Sequence, residues 1–287
     1  MSHLFTEIHR FKALLGNIYD PSEASSITNM VFEELLHLPI HQLRISGERG
    51  ISKEEHEQLD EVLHRLTKKE PVQYILGFAW FMGHRYKVNA ATLIPRPETE
   101  ELVAWVVHNP HIKDPRIIDL GTGSGCIAIS LQKHLPHSEV FAIDKSEPAI
   151  NTARINALSI LGESKKVHFF VQDMLDENWW NGLGNFDIIV SNPPYVLEQE
   201  REEMEAHVVE HEPEGALFVP NHDPFQFYLP IAHFAKKHLN KNGCLYLEIN
   251  AALGKEMQTM LEAQGYEGEM RQDMQGKNRM IKATLHT

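Results

Sequence analysis

Asn192, Pro193, Pro194 and Tyr195 directly follow an apolar run, Phe186-Asp187-Ile188-Ile189-Val190-Ser191. Their types suit the handling of a flat amino group. Proline has no backbone N–H and a fixed φ. Pro193 and Pro194 therefore stiffen the chain and offer carbonyl oxygens without competing donors. With an NH2 group docked here, the Asn192 side-chain oxygen accepts one N–H and the Pro193 carbonyl accepts the other. The Tyr195 ring stacks on the flat substrate face. Two acceptors fix the nitrogen and draw its lone pair toward an electrophile, which is catalysis by orientation and electrostatics. No general base is needed before attack, because the nitrogen sheds a proton readily once alkylated. The plainer alternative is a turn after a strand, which Asn-Pro and Pro-Pro commonly make.

Upstream, Asp119-Leu120-Gly121-Thr122-Gly123-Ser124-Gly125-Cys126 lies where a strand-like run meets a helix-like one. Alternate glycines let the backbone turn tightly and let a ligand lie against it. The spacing is GxGxG, with no GxGxxG and no GK[ST], so neither the dinucleotide fingerprint nor the P-loop is present. Asp144 ends the next apolar run, where a carboxylate accepts hydrogen bonds from both ribose hydroxyls. Asp119 either orients the loop or meets a ligand ammonium group. A ribose clamp beside a close backbone, with no phosphate cradle, resembles the S-adenosylmethionine-dependent methyltransferases of the Rossmann-like class. That likeness makes Asp119, Gly121, Thr122, Gly123, Ser124, Gly125 and Asp144 the expected cofactor residues, with a methyl sulfonium as the electrophile facing Asn192.

The elements that position these residues are legible from periodicity. Leu4, Ile8, Phe11, Leu14 and Leu15 recur at helical spacing, as do Ile27, Val31, Phe32, Leu35 and Leu36. Ser52 and Glu55 form a capping box before Leu59, Val62, Leu63 and Leu66. Residues 1–76 are expected to be a small helical bundle that recognises the substrate. Residues 77–96 read as a hairpin and linker, with Phe78 to Met82 and Tyr86 to Val88 flanking Gly83-His84. Residues 97–287 alternate helices with the runs 116–120, 140–144, 167–171, 186–191 and 243–248. Near-continuous apolar strands between helices mean a parallel sheet covered on both faces. Residues 266–270 and 279–283 are read as two further edge strands. The expected class is therefore α/β, a seven-stranded, mostly parallel Rossmann-like sheet behind a helical N-terminal domain.

Composition narrows the partners. The 287 residues hold 27 Lys plus Arg against 40 Asp plus Glu, a net charge of −13. Most of that excess, −11, falls in residues 91–287. Phosphate contacts need Lys and Arg, so duplex nucleic acid is a poor default partner. Cys126 and Cys244 form no CxxC, which fits a reducing compartment. With no run of about 18 apolar residues, no membrane span is expected, and the chain reads as cytoplasmic.

Taken together, the motifs resemble the HemK/PrmC family, methyltransferases that modify the glutamine of peptide chain release factors. The likeness covers nearly the whole chain: the N-terminal helices, Pro71-Val72-Gln73-Tyr74-Ile75-Leu76-Gly77, Leu93-Ile94-Pro95-Arg96-Pro97-Glu98-Thr99-Glu100, the glycine loop and the Asn192 to Tyr195 motif. The segment from Ile94 to Glu100 is the most family-specific. The resemblance implies methyl transfer from S-adenosyl-L-methionine to the side-chain amide nitrogen of glutamine in a Gly-Gly-Gln motif. It also implies that Asp173 and Met174 flank the adenine, that Asn192 meets both target and cofactor, and that Arg96 and Glu98 close over the site. The implied partner is a release factor, with no stable nucleic acid and no membrane. The Asn192 to Tyr195 motif alone is shared with adenine-N6 amino-methyltransferases, which is the alternative reading.

Other features weigh less. His207-Val208-Val209-Glu210-His211 matches HxxEH, but Pro213 follows closely and short matches arise by chance in a chain with 18 histidines. No metal site is expected. Trp179-Trp180 reads as packing, and residues 198–205 as a solvated face.

Overall fold

The computed structural model describes residues 3–108, 113–163, 165–180 and 182–286. They form two compact units, 1–77 with 205–211, and 78–204 with 212–287.

The first unit holds α1 (Leu4–Leu15), α2 (Pro21–Leu36), α3 (Ile40–Ile45), α4 (Lys53–Thr67) and α5 (Val72–Leu76). Asp20 caps α2 by accepting from the Ser22 and Glu23 N–H groups, with Pro21 opening the helix. The Ser52–Glu55 capping box of α4 forms as expected. Leu4, Phe11, Leu15, Val31, Phe32, Leu59 and Leu66 meet in the bundle core. Leu14 departs from the expected stripe and is 42 % exposed, whereas Glu7 is buried. Arg10 and Glu7, 2.7 Å apart, pair one turn along α1, which lets the carboxylate take the inner position.

In the second unit, β1 (Phe78–Phe81) and β2 (His84–Lys87) make the hairpin. Its turn is Met82-Gly83, with φ 48° and 74°. Positive φ at both turn residues is the geometry that matches strand twist. The hairpin is not a free linker, for Phe81 and Tyr86 bury in this unit's own core. Next come α6 (Pro97–Val107), β3 (Arg116–Leu120), α7 (Cys126–His134), β4 (Glu139–Asp144), α8 (Glu147–Leu161), β5 (Val167–Val171), β6 (Phe186–Ser191) and β7 (Val196–Leu197). After α9 (Ala206–His211), which groups with the first unit, follow β8 (Phe218–Val219), α10 (Tyr228–His238), β9 (Leu239–Glu248), α11 (Gly254–Ala263), β10 (Tyr266–Gln272) and β11 (Asn278–Leu285).

The main sheet runs β10-β11-β9-β6-β3-β4-β5. The five strands from β9 to β5 are parallel, and β11 and β10 close one side antiparallel. β11 lies between β9 and β10, so it is an inner strand rather than the expected edge. Alternate residues feed two cores. Ile118, Leu120, Ile189, Leu245 and Leu247 pack with residues of α10 and α11. Ile117, Val190, Cys244 and Tyr246 pack with residues of α6 and α7. β5 is less covered than its apolar sequence suggests, with Phe170 42 % exposed, because it forms the open edge. The chain leaves β3 toward β4 and β5, then crosses to β6 on the other side of β3. That reversal opens a crevice beyond the carboxyl ends of the parallel strands. Among the described residues, no helix is long and apolar enough to cross a membrane.

Candidate active site

The crevice holds a cavity of about 240 Å³, far more than the ~10–15 Å³ that admits one water. Gly121, Thr122, Gly123, Ser124, Asp144, Asp173, Met174, Asn192 and Pro194 line it. Asp119, Gly125, Pro193 and Tyr195 do not. The nine lining residues lie at or just beyond the carboxyl end of a parallel strand, and Thr99, Cys126 and Ile127 join them from the first turns of α6 and α7.

The glycine loop is built by backbone geometry. Gly121, Gly123 and Gly125 have φ of 78°, 54° and 82°, a region costly for side chains. The N–H groups of Gly121 and Thr122 both donate to the Ile143 carbonyl, at 3.0 and 2.8 Å, tying the loop to the end of β4. A Cβ on Gly125 would lie 2.7 Å from Ile129 Cδ1 and 3.0 Å from Ala153 Cβ. Gly125 thus sits outside the cavity because it packs α7 against α8. A Cβ on Gly121 would come within 2.8 Å of Met174 Cε, so the thioether closes over the loop at the place the family likeness gives to adenine.

Asp144 holds the loop from below the cavity. Its Oδ2 accepts from Gly123 N at 2.9 Å and its Oδ1 from Ser146 N at 2.9 Å. Each carboxylate oxygen keeps a free lone-pair site, so the residue can serve loop and ribose together. Burial pushes its carboxyl above the ordinary range, and the two backbone donors pull the other way.

Asp119 is fully buried on β3. Its Oδ2 accepts from the Thr122 hydroxyl at 2.6 Å and from Ala128 N at 3.3 Å. Among the described residues, its Oδ1 has no hydrogen-bond partner. Burial pushes the carboxyl up to about 7, opposed by those two donors and reinforced by Asp144. Because Asp119 does not line the cavity, it acts from behind the glycine loop, bracing it through Thr122 and placing an acidic group beneath it. The features that suit S-adenosylmethionine are the open glycine backbone and Asp144, both of which line the cavity.

A prediction follows for the cofactor-free protein. An acid whose folded pKa exceeds its unfolded one costs stability as pH rises from about 4 to about 7, and the full cost persists above. Asp119→Asn removes the charge but keeps an acceptor for Thr122 and Ala128. Its melting temperature should exceed wild type at pH 8, with a smaller gap at pH 5, while cofactor affinity falls. Thermal melts at both pH values check this, and a lower melting temperature at pH 8 contradicts it.

On the other wall, Asn192 Nδ2 donates to Thr99 Oγ1 at 3.1 Å. Thr99 in turn donates to Glu248 Oε2 at 2.6 Å. The expected stacking role of Tyr195 is not what the structure shows. Its hydroxyl donates to Glu248 Oε1 at 2.9 Å, which draws the ring away from the cavity. Burial, with Glu248 beside it, raises the Tyr195 pKa. Burial also raises the Glu248 carboxyl, against the pull of the Thr99 and Tyr195 hydroxyls and of Arg279. Arg96, which lines the cavity, pairs with buried Glu212 at 2.5 Å. Glu212 also accepts from Ile94 N at 3.2 Å, so the 91–96 and 213–216 walls are clasped together. Glu98 does not line the cavity.

Sequence reasoning missed Thr99, Glu248 and Glu212 as site residues. A signal existed for Glu248, an acid ending the apolar run Cys244-Leu245-Tyr246-Leu247, just as Asp144 ends its own strand.

Comparisons with known proteins agree with this layout. The description "Methyltransferase small domain" matches residues 99–217, and "PrmC N-terminal domain" matches residues 8–77. A release factor glutamine methyltransferase of Flavobacterium psychrophilum is 42% identical, covering 96% of this chain and 97% of the relative. Its counterpart in Bacteroides thetaiotaomicron is 42% identical over 94% and 95%. That of Lactococcus lactis subsp. lactis is 37% identical over 96% and 98%. Among solved structures, the hMettl16 catalytic domain in complex with MAT2A 3'UTR hairpin 6 aligns with a TM-score of 0.56 at 15% identity, covering 83% of this chain and 84% of that one. At that identity the likeness shows the fold alone.

Proposed function

From a chain that belongs to the HemK/PrmC family of release factor glutamine methyltransferases, we propose that the cavity methylates the side-chain amide nitrogen (N5) of glutamine in the Gly-Gly-Gln motif of peptide chain release factors. The enzyme is S-adenosylmethionine-dependent. Bound cofactor supplies an electrophilic methyl carbon on sulfur. Gly121 to Ser124 and Asp144 would hold it, with Gly125 and Asp119 shaping the loop from behind, and Asp173 and Met174 would border its base. Residues 1–76 are assigned to substrate recognition, and residues 97–287, with the hairpin packed in their core, to cofactor binding and catalysis.

The observation that carries this reading is the orientation of Asn192. One N–H of its NH2 donates to Thr99, and no described residue donates to its Oδ1. That oxygen is an acceptor held ready for a planar NH2 donor such as a carboxamide. Pro194 lines the cavity next to it, and the Pro193 carbonyl is the candidate second acceptor. A carboxamide nitrogen is a poor nucleophile because its lone pair is delocalised. Acceptors that polarise both N–H bonds favour the lone-pair density that attacks, and the proton leaves after the carbon–nitrogen bond forms.

The test is incubation of the purified chain with S-adenosylmethionine and a full-length bacterial release factor, followed by peptide mass spectrometry. The expected result is a gain of one methyl on the Gly-Gly-Gln peptide. No gain under saturating cofactor overturns the reading. Methylation of adenine in DNA or RNA with none in protein would favour the adenine-N6 alternative, against which the net charge of −11 over residues 91–287 stands.

A further inference from the structure

We infer that Thr99 and Glu248 are positioning residues that fix which way round the Asn192 carboxamide sits. The inference rests on the reading that the substrate presents an amide NH2 to that side chain. An asparagine amide has near-equal shape either way round, so packing alone does not choose between oxygen and nitrogen. Hydrogen-bond direction does. If the amide turned over, it would offer N–H groups to the substrate NH2, donor against donor.

The direction can be traced along a chain of obligate donors and acceptors. Arg279 is donor-only, and its Nη1 lies 3.5 Å from the Tyr195 hydroxyl oxygen, with its other side held by Asp273 at 3.3 Å. The Tyr195 hydroxyl spends its single proton on Glu248 Oε1 at 2.9 Å. The second oxygen, Oε2, takes the single proton of Thr99 at 2.6 Å. Thr99 Oγ1 has then only a lone pair to offer, and the Asn192 NH2 fills it at 3.1 Å. Thr99 and Glu248 are both buried, at 2 % and 1 % exposure, so water does not compete for these groups. The amide is thereby fixed with one N–H on Thr99, and its carbonyl oxygen is on the side away from that bond, available as an acceptor. Glu248 thus acts as a two-sided acceptor, drawing one proton from the motif's own tyrosine and one from the threonine that holds the motif's asparagine.

The three elements that supply these groups are set by the fold. Thr99 lies in the first turn of α6, Asn192 just beyond β6, and Glu248 at the end of β9, the strand beside β6. Thr99 belongs to the segment running from Ile94 to Glu100, whose role the family likeness left at closing over the site.

The test uses the full-length chain with a release factor as methyl acceptor and measures kcat, KM and cofactor Kd separately. Thr99→Val keeps the shape but removes the hydroxyl. It should lower kcat by ~10- to ~100-fold with cofactor Kd within ~3-fold of wild type. Thr99→Ser should restore kcat to within ~3-fold. In an Asn192→Ala background, Thr99→Val should cost less than ~2-fold more, because the group it orients is gone. Glu248→Gln replaces one acceptor oxygen by a donor, and should lower kcat in the same way. Thr99→Ala makes the same measurement if the valine variant does not bind cofactor. Near-wild-type kcat in Thr99→Val overturns the inference, and so does a loss that simply multiplies with that of Asn192→Ala. Absence of glutamine methylation by the wild type sinks the parent reading as well, so the two failures are distinct.

Discussion

Replacing Asn192 by alanine should cut kcat by ~30- to ~1000-fold, a barrier increase on the order of 2–4 kcal/mol. The magnitude reflects loss of an acceptor whose orientation is fixed before substrate arrives. Cofactor affinity should change little, because loop contacts at Gly121, Gly123 and Asp144 do not involve Asn192. Steady-state turnover at saturating concentrations of both substrates, with calorimetry of cofactor binding, separates the two effects. Near-wild-type turnover in the variant would remove the amide clamp from the account. A loss of cofactor affinity matching the loss of rate would move Asn192 from substrate to cofactor.

Asp144→Ala has the opposite signature. Two charge-assisted hydrogen bonds to a bound ribose, at ~1.5 kcal/mol each, correspond to a Kd increase of ~30- to ~300-fold. The substitution also frees Gly123 N and Ser146 N, so the loop loses its tether as well. Asp144→Asn keeps one acceptor oxygen and should fall between alanine and wild type. Once cofactor is saturating, turnover of either variant should recover most of its value, since Asp144 does not touch the amide. Unchanged affinity by calorimetry contradicts the ribose role.

Much of this site was legible in the chain because it is built from local rules. A strand, a glycine turn and a helix leave a clear trace in apolar periodicity and glycine spacing, and Asp144 stands at a strand end where its place is set by two residues of register. The hairpin was legible too, although its turn is Met82-Gly83 and its buried residues belong to the catalytic unit. Burial on either side of a sheet is not local. Whether an apolar strand such as β5 ends up inside or at the edge depends on strand order, which periodicity does not encode. β11 was misplaced at an edge for the same reason.

Side-chain direction was the harder quantity. The aromatic ring of Tyr195 suggested stacking, but its hydroxyl donates to a buried carboxylate 53 residues away along the chain, and the residue does not line the cavity. Glu248 and Thr99 escaped notice because each looks ordinary alone, one ending a strand and one starting a helix. Only their meeting beside Asn192 gives them a function. The helices α10 and α11 were not assigned from sequence. Pro230 lies in the first turn of α10, where a helix tolerates it, and this proline hid a continuous buried stripe of Tyr228, Ile231, Ala232, Phe234 and Ala235.

The most direct measurement labels the release factor glutamine side chain with nitrogen-15 and follows its amide signal during the reaction. The account predicts that the two-proton signal of the Gly-Gly-Gln side chain gives way to a one-proton signal bearing a methyl group. Persistence of the two-proton signal while methyl label accumulates elsewhere on the protein would contradict it.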